Sequence, residues 1–301
     1  MLIYLNGDYV SEENAKISIR DRGFTIGEGV FEGWRTYNGR VVDSVLEKHL
    51  LRLRRSIRFM ELNPDPIIET ARAKWPEVVE RNREEILQAG DVWIHTIVTG
   101  GVGMEGFTTA RPTVVFAPTV IPFKKLFARD IYSEGARLVP SMMTRNPFVS
   151  ADPRVKSISR LPNTRAERKQ MREGSGTWTA TFDNNGFVTE ATVAGIGLFE
   201  GGILVVPPRW ERLDSVSMQV ACELATQLGI RVEERPLAIY DLLNADAVYL
   251  FGTSFGMAPV AEADGIPLGS DRDIGNRILA KWVELVGFDF IEQSRRRARG
   301  Q

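Results

Sequence analysis

The chain has 301 residues, 43% of them hydrophobic and 26% charged, with a net charge of −1. A chain of this length and balance buries a large core without staples and divides into about two domains, which excludes disordered, collagen-like and disulfide-scaffold classes. With 38 basic residues against 39 acidic ones it offers no basic face for nucleic acid, and one cysteine with two histidines supplies neither a disulfide nor a zinc cluster.

The N-terminus has no basic segment ahead of a long apolar one, and no apolar run approaches the roughly 20 residues of a membrane helix. The chain is expected in the cytoplasm, without membrane partners. Asn6-Gly7-Asp8 separates Leu2–Leu5 from Tyr9-Val10, and Asn38-Gly39 separates Gly33–Tyr37 from Arg40–Val42. Both pairs carry hairpin chemistry. From Ser44 the apolar period changes to that of a helix, through Val45, Leu46, Leu50, Leu53, Ile57 and Met60, and stops at Asn63-Pro64-Asp65-Pro66. Ile67–Gln88 predicts a second helix ended by Gly90, followed by strands over Val92–Thr99 and Thr113–Val120.

Ile121–Arg129, with one proline and three basic residues, opens a linker placed at residues 121–132. Beyond it, strands are expected at Gly135–Ser141, Thr177–Asp183, Phe187–Glu190, Ile196–Glu200, Arg231–Pro236 and Ala247–Phe251, with helices near Arg160–Glu173 and Ser215–Gln227. The pattern is α+β, with a small domain over 1–120 and a larger one over 133–301.

Gly101-Val102-Gly103-Met104-Glu105-Gly106 has dinucleotide-binding spacing, but Phe107–Pro112 opens no helix to hold a pyrophosphate, so a substrate-side glycine loop is the better reading. Lys156 lies between Arg154 and Arg160, whose charges would favour a neutral, nucleophilic amine over an ordinary surface lysine. Glu190 closes a short strand, where an exposed strand-end acid is the plain alternative. Ser215-Val216-Ser217 opens a helix and Gly252-Thr253-Ser254 follows a strand; each is a donor-rich turn as well as an ordinary cap or turn. His49 and Arg52 lie three apart on one helix face and can point at one spot, where an arginine clamps a phosphate well. A lysine amine, an isolated acid, an arginine and two donor-rich turns are together the parts that hold pyridoxal phosphate.

The chain resembles the fold-type IV, or class IV, pyridoxal-phosphate aminotransferases, a group that includes branched-chain, D-amino-acid and (R)-amine transaminases and aminodeoxychorismate lyase. The resemblance runs from Leu5-Asn6-Gly7 to about Gly269. It is carried by Asp21-Arg22-Gly23-Phe24, Gly27 to Gly33, His49-Leu50-Leu51-Arg52-Leu53, Val155-Lys156-Ser157, Leu161-Pro162-Asn163, Gly186 to Glu190, Gly252-Thr253-Ser254 and Pro259-Val260. It implies a two-domain fold of the D-amino-acid aminotransferase type, a homodimer, and an amino donor with a keto-acid acceptor as small-molecule partners. It also implies ping-pong transamination, with a branched-chain L-amino acid as the favoured donor.

By the same resemblance Lys156 is the lysine that bonds the cofactor aldehyde and carries the proton, and Glu190 is the acid at the pyridine nitrogen. Arg52, Val216, Ser217 and Thr253 are the phosphate ligands, and Phe31, Gly33, His95, Arg160 and Ser254 are candidate substrate contacts. Two departures stand out. Ser159-Arg160 replaces the usual Asn-Tyr, leaving open whether Arg160 points inward or merely opens a helix, and Ala191 to Gly195 lacks the family asparagine. D-amino-acid or (R)-amine transamination, lyase chemistry, and a binding protein without catalysis are the alternatives.

Overall fold

Asn6 and Gly7 take φ of 52° and 117°, the left-handed pair that folds β1 (Leu2–Leu5) back onto β2 (Asp8–Ser11) in antiparallel register. The computed structural model describes residues 1–103 and 111–301, so the glycine loop beyond Gly103 lies outside the described residues. Two units are present: Met1–Ile121 with Val155–Arg160, and Pro122–Arg154 with Leu161–Gln301.

After β2 the first unit contains α1 (Arg22–Ile26), β3 (Gly29–Arg35), α2 (Asp43–Phe59), α3 (Asp65–Arg81), α4 (Arg83–Ala89), β4 (Val92–Thr99) and β5 (Thr113–Val120). Its sheet has the order β2-β1-β5-β4-β3, every pair antiparallel. Alternation sorts β3 and β4 into two faces. Val30, Trp34, Val92, Ile94 and Val98 join Leu50, Leu53 and Ile57 of α2 and Trp75 of α3 in the core. Trp93, His95 and Ile97 of β4 project from the other face, where His95 and Ile97 are exposed.

The expected strand over Arg40–Val42 is absent. Asn38 and Gly39 do form the turn, with φ of 53° and 68°, but only the Tyr37–Arg40 bridge follows. Buried Asp91 holds that turn instead, accepting from the N–H groups of Asn38 (2.9 Å) and Gly39 (2.8 Å). The single helix expected over Ile67–Gln88 is two, parted at Asn82. There the buried side chain accepts from the N–H of Leu2 (2.6 Å) and donates to the Leu2 carbonyl (2.9 Å), so it serves strand β1 rather than continuing the helix. Asn82→Ala is expected to lower the unfolding free energy by about 1–3 kcal/mol. That would be read as a lower urea midpoint at unchanged slope, and an unmoved midpoint would show that the clasp contributes nothing.

The second unit contains α5 (Phe123–Leu126), β6 (Ala136–Thr144), α6 (Leu161–Glu173), β7 (Thr177–Phe182), β8 (Val188–Ala191), β9 (Gly195–Glu200), β10 (Ile203–Val206) and α7 (Val216–Gln227). It continues with β11 (Val232–Glu234), α8 (Ile239–Asn244), β12 (Ala247–Gly252), β13 (Gly256–Ala263), β14 (Ile266–Pro267), α9 (Asp273–Val286) and α10 (Phe290–Ala298). The sheet order is β11-β10-β9-β12-β13-β6-β7-β8, with β14 beside β13. Tyr249, Phe199, Phe251, Trp282 and Phe290 fill its core, each under 3% exposed. The mixed helix and strand content is that of the expected α+β class.

Candidate active site

In the first unit the segment around Lys156 is laid along the free edge of β3. The Phe31 N–H donates to the Lys156 carbonyl (2.8 Å), and the Ile158 N–H donates to the Gly29 carbonyl (3.0 Å), with Val30 and Ser157 paired between them. The Lys156 N–H reaches Ser56 Oγ on α2 at 3.2 Å, and Ser159 Oγ donates to the Gly27 carbonyl at 2.9 Å. Glycine is needed at position 29 for this approach, because a Cβ there would lie 2.6 Å from Ile158 Cδ1 and 3.1 Å from the Val98 carbonyl. By these contacts Lys156 belongs to the first unit, although the chain on both sides of Val155–Arg160 lies in the second.

The lysine Nζ sits 4.4 Å from the centroid of the Phe31 ring, and the Arg160 guanidinium carbon sits 5.4 Å from the same centroid. Arg160 therefore turns inward and does not merely open α6. Gly33, two residues on from Phe31, pairs with His95, and Phe31 pairs with Ile97. In an antiparallel ladder such partners share a face, so Phe31, Gly33, His95 and Ile97 form one patch of wall. His95 stacks on Trp93 at 5.9 Å with the rings 6° from parallel.

His49 and Arg52 do converge, and the spot they share is occupied by a carboxylate. Glu32, fully buried on the helix side of β3, accepts from Arg52 Nε at 2.8 Å and from Arg52 Nη2 at 2.5 Å, with His49 Nδ1 at 3.1 Å. Burial opposes the Glu32 charge, but Arg52 and then His49 outweigh it and hold the carboxyl far below its usual range. Glu32 was not among the residues singled out from the sequence. Its signal was there: alternation over Val30, Glu32 and Trp34 puts an acid on a buried face.

His49 is pushed down in the opposite sense. Burial, together with the Arg52 and Lys156 charges, outweighs Glu32 and keeps the imidazole neutral. Its folded pKa thus lies below the ordinary 6.5, so the unfolded chain binds the proton first. The stability it contributes is present above pH 6.5 and is lost as the pH falls. Wild type is expected to lose up to about 1.4 kcal/mol per pH unit from this residue in mild acid. Urea unfolding between about pH 7.5 and 5 measures that slope, which His49→Gln should lack; equal slopes in the two proteins would refute it.

In the second unit Glu190 stands on β8 opposite Thr181, 8% exposed. One carboxylate oxygen is 3.0 Å from Arg145 Nη2, and the other accepts from the Leu213 N–H at 3.0 Å. Glu190 is therefore a held carboxylate and not an exposed strand end. Arg145 also donates to Asn163 Oδ1 on α6 (3.3 Å) and to the Pro153 carbonyl (3.2 Å). Leu213 leads into α7, capped by Ser215, whose side chain accepts from the Met218 N–H at 3.3 Å. Val216 and Ser217 occupy the first turn, where an α-helix leaves its N–H groups without helical partners. Ser217 is 5% exposed. Thr253 and Ser254 sit half-buried in the turn between β12 and β13.

The site residues expected from the sequence thus fall into two groups, one built within each unit. The family model for amino-transferase class IV matches residues 29–263. A protein of Methanocaldococcus jannaschii, to which branched-chain-amino-acid aminotransferase activity is ascribed, is 34% identical over 88% of both chains. The D-alanine aminotransferase of Listeria monocytogenes is 26% identical over 90% of this chain and 91% of its own. In fold, the branched-chain amino acid aminotransferase of Escherichia coli superposes with a TM-score of 0.80 at 23% identity, over 95% of this chain and 94% of that one.

Proposed function

The chain belongs to the class IV aminotransferases, and on that premise we propose that it moves the amino group of a branched-chain L-amino acid to a 2-keto acid in two half-reactions, using pyridoxal phosphate. The observation that carries this reading is the seat of Lys156, whose main chain is pinned along β3 while its amine stands over Phe31.

The residues present suit the cofactor: an amine on a fixed backbone, a buried guanidinium at Arg52, and the first turn of α7, whose N–H groups have no helical partners and which carries the Ser217 hydroxyl. When bound, pyridoxal phosphate supplies an aldehyde that accepts the amino group and a ring that draws electrons from the substrate Cα. Lys156 Nζ takes the proton from the donor Cα and holds it for return. By the family pattern Arg52, the N–H groups of Val216 and Ser217, and the Thr253 hydroxyl would hold the phosphate. Glu190, its oxygens fixed by Arg145 and Leu213, would keep a proton on the ring nitrogen. Phe31, Gly33 and His95 line the donor's side chain, and Ser254 meets its carboxylate. The apolar side chains of Phe31 and Ile97, with no side chain at Gly33, favour an apolar donor, as do the branched-chain relatives.

The working assembly in this reading is a homodimer, supported by four exposed apolar side chains around α1, Ile17, Ile19, Phe24 and Ile26. Its compartment is the cytoplasm, in keeping with a single thiol at Cys222. No helix among the described residues is long and apolar enough to cross a membrane.

Absorbance of the purified protein during titration with single donors tests the function. L-leucine and L-glutamate are expected to bleach the violet cofactor band. Bleaching by D-alanine or (R)-1-phenylethylamine alone would replace this reading with one of the other transaminases, D-alanine in accord with the relative from Listeria. A band that no donor moves would refute transamination, and pyruvate release from an aminated chorismate would then identify a lyase.

A further inference from the structure

The main chain of Lys156 is held from two sides, and both supports lead to Arg52. Its carbonyl accepts from the Phe31 N–H of β3 at 2.8 Å, while its own N–H reaches Ser56 Oγ of α2 at 3.2 Å. A regular antiparallel ladder sends both groups of such a residue to the facing strand, so the bond to Ser56 is a departure. Ser56 is 1% exposed and lies four residues beyond Arg52, on the same helix face and about 6 Å farther along the axis. Next to Phe31 on β3 stands Glu32, whose carboxylate accepts from Arg52 Nε at 2.8 Å. Lys156, Ser56, Arg52, Glu32 and Phe31 therefore close a ring, one side of it helix and the other strand. Neither side has room to shift, because Leu50, Leu53 and Ile57 of α2 and Val30 and Trp34 of β3 are core residues, each no more than 2% exposed.

We infer that Ser56 is a positioning residue: its hydroxyl sets the distance between Lys156 and Arg52 to the one that the cofactor spans. This rests on the reading of those two residues as the amine that takes the cofactor aldehyde and the guanidinium that takes its phosphate. One rigid ring carries both the aldehyde and the phosphate, so the ligand dictates the separation of its two points of attachment. A two-point ligand gains from its second contact only where the two receptors stand at the matching distance. Glu32 fixes the guanidinium end, and Ser56 fixes the main chain from which the amine extends. Without the hydroxyl the Lys156 N–H loses that acceptor, and the segment loses a tie to the helix that carries Arg52.

The test compares two probes on the full chain stripped of cofactor, read by absorbance: pyridoxal phosphate, and pyridoxal, which has the aldehyde but no phosphate. Lys156→Ala supplies the blank for reaction at other lysines. Ser56→Ala is expected to weaken the binding of pyridoxal phosphate about tenfold and to leave that of pyridoxal within about twofold, because a one-point ligand does not sense the register. Ser56→Cys, whose sulfur accepts only weakly, should fall between wild type and Ser56→Ala, and it carries the same comparison if Ser56→Ala does not fold. Unmoved binding of pyridoxal phosphate would overturn the inference. So would a loss as large for pyridoxal, since a hydroxyl that merely supports the fold or the lysine weakens both probes alike. Borohydride reduction in the presence of pyridoxal phosphate, with the labelled peptide identified by mass, separately tests the underlying reading. Label away from Lys156, or equal binding of both probes by wild type, sinks that reading and the inference with it. Label on Lys156 with unmoved binding in the Ser56 variants sinks the inference alone.

Discussion

Lys156→Ala is expected to leave a folded protein whose transamination has fallen by about 10⁴-fold or more, because in the proposed function one atom serves as both nucleophile and proton carrier. The fold should survive, since the contacts that hold this segment are made by its main chain: the Lys156 N–H to Ser56, its carbonyl to Phe31, and the Ile158 N–H to Gly29. The side chain itself is half-buried and belongs to no apolar core, so its loss should alter stability by no more than about 0.5 kcal/mol. Single-turnover conversion of the cofactor band by L-leucine measures the first quantity and urea unfolding the second. Activity within tenfold of wild type would remove Lys156 from the mechanism. A collapse of stability would mean that the amine is a structural cation and that any lost activity says nothing of chemistry.

Glu32→Ala carries the second large effect. Glu32 is fully buried, and Arg52, its partner, is 5% exposed, so removing the carboxylate takes the anion from a buried guanidinium and the acceptor from His49. Breaking a buried pair in this way costs about 3–5 kcal/mol, because the surviving charge has lost water as well as its partner. The loss should be full from about pH 5 to 8, since the carboxyl is held far below its usual range and stays ionised throughout. Replacing the pair together, as Glu32→Leu with Arg52→Met, should recover much of the stability while cofactor retention stays poor, because the proposed phosphate ligand is gone. Denaturant unfolding and the cofactor retained after dialysis separate the two outcomes. A cost under about 1 kcal/mol for Glu32→Ala would show that Arg52 finds compensation elsewhere.

Several parts of the fold were legible because their causes are local. Asn6-Gly7 makes a hairpin wherever strands flank it, and the spacing of Leu46, Leu50, Leu53 and Ile57 makes a helix whatever covers its face. The strands Val92–Thr99 and Thr113–Val120 were bounded correctly for the same reason. Where the reading failed, a distant partner had intervened. Asn82 leaves the helix because Leu2, 80 residues away, offers it both a donor and an acceptor. Arg40–Val42 stays out of the sheet because Asp91 claims the turn that precedes it.

The chemistry divides along the same line. Residue types and their order by themselves determined the family, and they marked Lys156, Glu190 and Arg52 as its candidate lysine, acid and arginine, because a cofactor with an aldehyde, a basic ring nitrogen and a phosphate calls for such groups. Only tertiary structure decided what each group is bonded to: Arg52 to a buried Glu32, Glu190 to Arg145 and Leu213, and Lys156 and Arg160 over one ring. Those pairings join strands to helices and returning loops far apart in the chain. Their strength depends on burial and distance, which come into being only when the sheet and its helices close around them.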